Sequence, residues 1–419
     1  MRINKRFLAI FSITLFLFSA WLIFLDDLLL SLWIGLTVLI IFSWGLSKNS
    51  LRGIQVNRFS RKKILEIGNT FDERLEIKNN SKIPKFLIEI NDRSELLEKI
   101  SSRVITGLGA NKIGIYSSAV ILNKRGFFLL GPLELISGDP FGLFTSSKTF
   151  ATKNNLIVYP KISKINRFRL LPADLAGGAL NMLQTAHPTP QAAGIREYSP
   201  GDPLSRVHWP TTIRRDKLMV KEFDEDSQSS MWIFLDSQKG IYVRDNQELL
   251  PAFDRNYVSI KKTKEYSLPR DSFEYAVSIA ASIAKYFLGK NLTVGLASAG
   301  EKITILPPEK GHRQLNKILE SLAVIRDVGP TPLEHLVEKQ SKNISKGSAV
   351  LLITAFKDQT YENLMEMLWR KGFHILIVVL DNSSFVQDNE KPDGVKNDPS
   401  GSVIKVSFGD DIGKILSDD

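Results

Sequence analysis

The sequence predicts a chain in three parts. These are an N-terminal transmembrane helical hairpin, a β-sandwich segment of immunoglobulin-like type, and an α/β domain built on a doubly wound, mostly parallel sheet. Three observations predict this. Two uncharged apolar runs of nineteen residues open the chain. Short extended runs punctuated by Gly follow to about residue 150. From Met231 onward, apolar strands alternate with amphipathic helices. The boundaries read as 1–50, 51–150, a connecting segment at 151–230, and 231–419.

The first run, "FLAIFSITLFLFSAWLIFL", covers 7–25, and the second, "LLLSLWIGLTVLIIFSWGL", covers 28–46. Each is long enough to cross a hydrocarbon core as a helix. Asp26 and Asp27 separate them, which reads as a tight hairpin. No small-x-small cleavage site follows the first run and a second apolar run comes next, so a cleaved signal peptide is the poorer reading. Arg2, Lys5 and Arg6 precede the hairpin, Lys48 and Arg52 follow it, and its turn is acidic. The positive-inside rule places both termini and the soluble parts on the cytoplasmic side of an inner membrane.

The 419 residues carry a formal charge of +10 and no Cys. Disulfides, thiolate nucleophiles and Cys metal sites are therefore excluded. Between Lys48 and Arg103 there are 13 Lys and Arg against 8 Asp and Glu, about half of the whole excess. A basic stretch beside a membrane is attracted to anionic headgroups, so lipid rather than nucleic acid is the expected anionic partner.

The β-rich part rests on "RLEIKN", "FLIEIND", "KIGIYSSAVIL" and "RGFFLLGPLELIS", with Gly109, Gly126, Gly131 and Gly138 as turn signals. It closes on "GDPFGLF", a packing corner in which Phe141 and Phe144 are expected to plug the core. "NLIVYP" is a further strand, and the Gly, Pro and Ala of residues 170–194 read as a loop or weak helix. In the last part "MWIFLD", "LTVGLA", "SAVLLIT" and "HILIVVL" read as buried strands and "SVIKVSF" as an edge strand. Helices are expected from Asp271, with Ser272 as a cap candidate, over 312–325 and over 361–371. Alternating β and α elements of this kind indicate a parallel sheet.

Ligands of open α/β sheets bind beyond the carboxyl ends of the strands. Asp236 stands at such an end, in "FLDSQKG". Here the chain resembles a von Willebrand factor A domain, whose Asp-x-Ser-x-Ser loop, second-loop Thr and third-loop Asp hold a divalent cation through oxygen. Asp236 matches the first position, but Gln238 and Gly240 occupy the two Ser positions. Thr331, in "GPTPLEHL", is the second-loop candidate. Ala355 stands where the third-loop Asp is expected, with Asp358 three residues on. Mg²⁺ is the ion such a set would take, through Asp236, Gln238, Thr331 and Asp358. The losses make a degenerate site the expectation, and no cofactor is required by the sequence.

The stretch "GIREYSPGDPLSRVHWPTTIRRDKLMVKEFDED", Gly194 to Asp226, carries six Lys and Arg against seven Asp and Glu, which argues against a phosphate-tracking groove. Ser199 and Ser205 lie near His208, but a Gly-x-Ser-x-Gly elbow is absent, as are a zinc His spacing and a phosphate-binding loop. No catalytic residue is therefore named. A charge network of Arg196, Glu197, Asp202, Arg206 and His208 is expected to pin the segment, with the 200–202 turn at Gly201 and Trp209 as an apolar anchor.

"REYSPGDPLSRVHW" followed by "LMVKEFDED" closely resembles the central signature of a bacterial family, domain of unknown function family 58. Upstream "RGFFLLGPLELISGDPFGLF" and "VYPKI", and downstream "EYAVSIAASIAKYFLGKNLTVGLASAG", are similar to it as well. The signature residues are Arg196, Glu197, Tyr198, Gly201, Asp202, Arg206, His208, Trp209, Lys221 and Glu222. The resemblance implies a non-enzymatic, membrane-anchored adaptor or assembly factor that presents a von Willebrand factor A-like domain to a MoxR-type AAA+ ATPase. The alternatives are a divalent-metal-dependent ligand-binding module and a hydrolase using Ser199 or Ser205 with His208.

Overall fold

A computed structural model describes residues 2–60, 62–94, 102–151, 154–168, 192–200, 207–223, 230–244, 266–345, 347–355, 359–386 and 403–417. The chain divides into two compact units. One is Met1–Tyr159, and the other is Pro160–Leu249 with Tyr266–Asp419.

The first unit begins with strand β1 (Arg2–Ile3) and helices α1 (Lys5–Phe24) and α2 (Asp27–Asn49). Both helices are long and apolar enough to cross a membrane, and only 6% of each apolar window is buried. Their turn is tighter than expected. Asp27 is already helical, and Asp26 caps α2 by accepting the Leu28 amide at 2.9 Å. Leu25 takes a left-handed conformation that ends α1. Phe18 and Trp33 meet across the hairpin, with ring centroids 5.0 Å apart.

The strands of this unit are β2 (Ile54–Ser60), β3 (Ile64–Glu66), β4 (Thr70–Asn79), β5 (Lys85–Asp92), β6 (Ser102–Leu108), β7 (Ile113–Ile121), β8 (Gly126–Leu130), β9 (Leu133–Gly138), β10 (Phe144–Phe150) and β11 (Asn154–Tyr159). They form sheets in the order β1-β10-β9-β5-β6, β2-β4-β7 and β3-β11-β8. Alternation along β4 and β9 directs one set of side chains inward, as a half-buried strand requires. Ile54, Leu75 and Ile77 of the three-stranded β2-β4-β7 sheet share a core with Ile88, Ile90, Leu133 and Leu135 of the five-stranded sheet. The β-rich expectation for this stretch is thus met by two sheets closing on one apolar layer.

A buried charge joins those sheets. Arg58 on β2 is ion-paired with Asp92 at the end of β5, and its Nε lies 3.3 Å from Glu73 on β4. Gly131 donates its amide to Ser94 Oγ at 2.7 Å, which extends the cluster to the next turn.

The "GDPFGLF" corner folds around Asp139, which accepts the amides of Phe141, Leu143 and Phe144 at 2.9, 3.2 and 2.7 Å. Burial pushes the Asp139 pKa up, but these amides and the Ser43 hydroxyl outweigh it and hold the carboxyl below its ordinary value. Leu143 and Phe144 are buried whereas Phe141 is exposed, so Leu143 rather than Phe141 fills the second core position. Leu143 and Gly142 also receive Asn4, through its backbone amide at 3.1 Å and its side-chain amide at 2.8 Å. The base of the hairpin is thereby tied to the corner.

The second unit contains β12 (Ala192–Glu197), helix α3 (Trp209–Arg215), β13 (Met219–Phe223), β14 (Met231–Leu235), α4 (Ser272–Gly289), β15 (Val294–Ala299), β16 (Ile303–Glu309), α5 (Gly311–Val324), α6 (Leu333–Ser341), β17 (Ala349–Thr354), α7 (Gln359–Arg370), β18 (His374–Leu380), a 3-10 turn (Asn382–Phe385), β19 (Val403–Val406) and α8 (Ile412–Ile415). β12 and β13 pair antiparallel. The main sheet runs β16-β15-β14-β17-β18-β19. All neighbours are parallel except β16, which pairs antiparallel with β15 at the edge.

β14 is buried at every position. Trp232 and Phe234 pack with Leu336 and Val337 of α6 and Leu364 and Leu368 of α7. Ile233 and Leu235 point the other way and are equally buried. A strand covered on both faces reads as an unbroken apolar run, which is why it was visible in the sequence.

Three features of this unit differ from expectation. Asp271, not Ser272, caps α4, accepting the Phe273 amide at 2.9 Å. β16 and α6 went unpredicted. β16 carries Pro307 and Pro308, and its exposure alternates because it lies at the edge, where a missing amide is tolerated. The weak helix expected around 170–194 lies almost wholly outside the described residues.

Replacing Arg58 leaves two carboxylates in an apolar interior. Arg58→Ala is expected to lower stability by ~3–5 kcal/mol, read as the thermal melt of the detergent-solubilised chain by circular dichroism. An unchanged melting temperature would show that the charge cluster does not join the sheets.

Candidate functional site

Two places in the second unit collect the residues that the sequence singled out. The first is the carboxyl end of β14. Asp236 extends the strand by one residue and donates its amide to Ile353 O at 2.9 Å. Its side chain is 1% exposed. Oδ1 accepts the Gln238 amide at 3.1 Å, and Oδ2 accepts the Thr354 hydroxyl at 2.9 Å. Tyr242 donates its hydroxyl to the Asp236 carbonyl at 3.0 Å.

The second loop lies alongside. Gly329 donates to Ser237 O at 2.9 Å and accepts from the Lys239 amide at 3.0 Å. This brings Gln238 into a parallel bridge with Gly329, two residues before Thr331. The approach demands glycine, since a Cβ at position 329 would lie 1.8 Å from the Ala299 carbonyl oxygen. Gly240 has φ 87°, a conformation that glycine adopts readily, so the residue that removes a Ser ligand has its own backbone reason.

Arg244 closes the loop. Its Nε is 3.2 Å from Asp271 Oδ2, and its other arm is paired with Asp327. Burial raises the Asp271 pKa and Glu274 adds to this, against the pull of Arg244 and the amides of Phe273 and Glu274. Asn382 donates to Ile241 O at 2.6 Å and accepts the Ser272 hydroxyl at 2.9 Å.

Asp236, Gln238 and the loop that carries Thr331 are adjacent through the Gln238–Gly329 bridge, while Asp358 lies outside the described residues. Thr354, Arg244 and Asp327 were missed. Thr354 had one signal, a hydroxyl ending an apolar run that leads into the neighbouring strand end. Arg244 and Asp327 are 83 residues apart and had none.

The described donors do not fit an octahedral Mg²⁺ site. Both Asp236 oxygens are engaged by the protein, Gly240 offers no side chain, and Ala355 stands where the third-loop acid is needed. Among the described residues no group of three or more His, Asp or Glu is placed to hold a metal ion.

The second place is the signature stretch. Tyr198 donates its amide to Leu218 O at 2.9 Å, and His208 donates its amide to Met219 O at 2.8 Å. Val207, Met219 and Val220 are buried beneath this pairing. Thr212 Oγ1 accepts the Met219 amide at 3.0 Å, and His208 Nδ1 lies 2.8 Å from Thr211 Oγ1.

The expected charge network is only partly visible. Glu197 pairs with Lys217 at 3.0 Å, but both side chains are exposed, and such pairs contribute ~0–1 kcal/mol. Arg196 donates to the Glu197 carbonyl at 3.1 Å. In the described part the segment is held by strand pairing and apolar burial. Gly201, Asp202, Ser205 and Arg206 lie outside the described residues, and Lys221 and Glu222 are described only as backbone of β13. Trp209 is not the buried anchor expected of it. It is 60% exposed, and Ile213, one turn on along α3, is 77% exposed.

A model of the family described as "Protein of unknown function DUF58" matches residues 194–248 and 257–392. The match lies within the C-terminal part of the chain and covers less than half of it. The match opens on the first residue of the signature stretch and takes in the strands from β14 to β18. It reaches neither the hairpin nor the β-rich unit, so the DUF58 family model is narrower than the resemblance read from the sequence. The uncharacterised protein YeaD of Bacillus subtilis (strain 168) is 24% identical over 346 residues, covering 79% of this chain and 76% of its own. Among crystal structures, the CARDB domain of a Pyrococcus furiosus protein, in complex with di-metal ions, aligns with 25% of this chain and 91% of its own, at 7% identity and a TM-score of 0.20. The C-terminal domain of wzt aligns with 26% of this chain and 75% of its own, at 9% identity and a TM-score of 0.20. Likenesses this loose do not define the fold.

Two substitutions test how the loop after β14 is held. Thr354→Val leaves a buried carboxylate oxygen without its hydroxyl donor and is expected to cost ~1–3 kcal/mol. Gly329→Ala forces the second loop away from Ala299 and is expected to cost at least as much. Both are read by urea denaturation followed through tryptophan fluorescence, to which the buried Trp232 contributes. Wild-type midpoints in both variants would remove this loop pairing from the folding energetics.

Proposed function

We propose that the protein is a non-enzymatic adaptor, anchored in a bacterial inner membrane by its helical hairpin with both termini and the soluble units on the cytoplasmic side. In this reading its second unit is a doubly wound, von Willebrand factor A-like domain that engages a MoxR-type AAA+ ATPase. The single observation that carries the reading is the exposed apolar pair Trp209 and Ile213 on α3, within the family signature. An exposed Trp beside a second large apolar residue is the composition of a protein-binding hot spot.

Three further features support it. The strand order puts β14 at the centre of a sheet with helices packed against it, and the loops at its carboxyl end are where such folds bind. Asp236 is committed to Thr354 and Gln238, which suits a rigid platform better than a reactive centre. The His208 ring is likewise committed to Thr211, without a serine seated on it among the described bonds. The ATPase as partner follows from the family resemblance.

Affinity purification of the full-length chain from its own membrane, with ATP present, is expected to recover an AAA+ ATPase. The double variant Trp209→Ser, Ile213→Asp should reduce recovery at least about tenfold while leaving the melting temperature unchanged, since neither side chain is buried. Undiminished recovery by the variant would remove α3 from the interface, and recovery of no ATPase by the wild type would overturn the adaptor reading.

A further inference from the structure

A cavity of about 180 Å³ opens within the first unit, where the last two turns of α2 meet the start of β5 and the end of β9. Phe42, Gly45, Leu46 and Asn49 line it from the helix, at the i, i+3, i+4 and i+7 spacing of one face. Pro140 and Lys85 line it from the β-rich side. The cavity lies below the roughly 300–1,000 Å³ of sites that enclose a whole drug-sized ligand. It suits one portion of a larger molecule.

Lys85 is the unusual member. It is 3% exposed, yet its ammonium donates to the Asn49 carbonyl at 2.6 Å and has no carboxylate partner among the described residues. A buried cation normally carries a counter-charge, because desolvating it alone is costly. Burial accordingly lowers its pKa. An ammonium carries three donors, and one neutral carbonyl does not satisfy it.

What would supply the anion follows from the position. The cavity wall is the same apolar helix whose outer surface is uncovered, and Phe42 belongs to both. Ile83 and Phe86, on the segment that carries Lys85, and Phe141 at the neighbouring corner are large, apolar and exposed. Trp44, with the Lys48 ammonium 4.8 Å from its ring centre, marks the level at which amphipathic side chains meet headgroups. Gly45 keeps the cavity open, since a Cβ there would meet nothing within 4 Å.

We propose that this cavity is a binding site for an anionic phospholipid of the surrounding bilayer, with its phosphate paired to Lys85 and the upper part of an acyl chain lying against Phe42, Gly45 and Leu46. The proposal rests on the reading that α1 and α2 cross the membrane. It goes beyond anchoring, because it gives the β-rich unit a lipid specificity of its own.

The test is native mass spectrometry of the detergent-solubilised full-length chain, titrated with dioleoyl phosphatidylglycerol or dioleoyl phosphatidylcholine. The wild type is expected to retain phosphatidylglycerol about fivefold better, the effect of one lysine facing a headgroup of net negative charge rather than one whose phosphate is neutralised by its own choline. Lys85→Met should abolish that preference. Gly45→Leu, whose Cβ meets nothing within 4 Å, places an apolar side chain on the cavity wall; it should reduce retention of both lipids and keeps the test valid if the lysine variant folds poorly. Equal retention of the two lipids by the wild type, or undiminished retention by Gly45→Leu, would overturn the proposal. Carbonate extraction separates the two levels of failure. Release of the chain from vesicles sinks the membrane reading together with the site, whereas a retained chain without lipid preference sinks the site alone.

Discussion

Helices α1 and α2 leave almost all of their large apolar side chains uncovered, and the rest of the first unit is arranged around that fact. Water would charge ~25 cal/mol for each Å² left exposed in this way. A bilayer removes the cost, provided that every polar group in the span finds a partner inside the helix. Several hydroxyls comply. Ser12 donates to the Leu8 carbonyl, Ser19 to Phe16, Ser31 to Leu28 and Thr37 to Trp33. Over its last two turns the chemistry of α2 changes. Ser43 and Ser47 are buried, and Ser146 of β10 donates to the Ser47 carbonyl at 2.9 Å. The helix therefore ends docked on the β-rich unit, and the Asn4 and Asp139 contacts fasten the other end of the hairpin to the same corner.

A different constraint shapes the second unit. A central strand buried on both faces has no room for polar side chains along its length, so they gather at its end. Asp236, Ser237, Ser298 and Thr354 all do so, and all are buried. Asp236 accepts the Gln238 amide and the Thr354 hydroxyl, and Ser237 and Ser298 bond to each other. Elsewhere in this unit, α3 leaves Trp209 and Ile213 in solvent.

The elements that were legible in advance share one property, which is that each carries its own period. The apolar runs of α1 and α2, the unbroken strands β14, β17 and β18, and the face of α4 all declare themselves locally. β16 and α6 did not. The Pro pair and alternating exposure of β16 suit an edge strand, yet in isolation they read as a loop. α6 is nine residues long, too short for its periodicity to stand out. Within the site, Asp236 was found because a carboxylate at the end of an apolar strand is conspicuous. Its donor Thr354 stands 118 positions away, and only the register of β14 against β17 brings them together. Trp209 was misread for the converse reason. A large aromatic side chain is buried more often than not, and nothing in its neighbours shows that the short helix α3 turns it outward.

By itself the sequence determined the local elements of this protein. Uninterrupted hydrophobicity, charge bias and short-range periodicity settle which segments suit lipid, which form strands and which form helices, since these depend on each residue and its near neighbours. The tertiary structure alone decided which charges are compensated. It gave Arg58 two carboxylates and Asp236 a hydroxyl and an amide, and it buried Lys85 beside a cavity with a single carbonyl. The pairing of a buried polar group depends on distances of a few ångströms between residues far apart in the chain, and no local pattern encodes that separation.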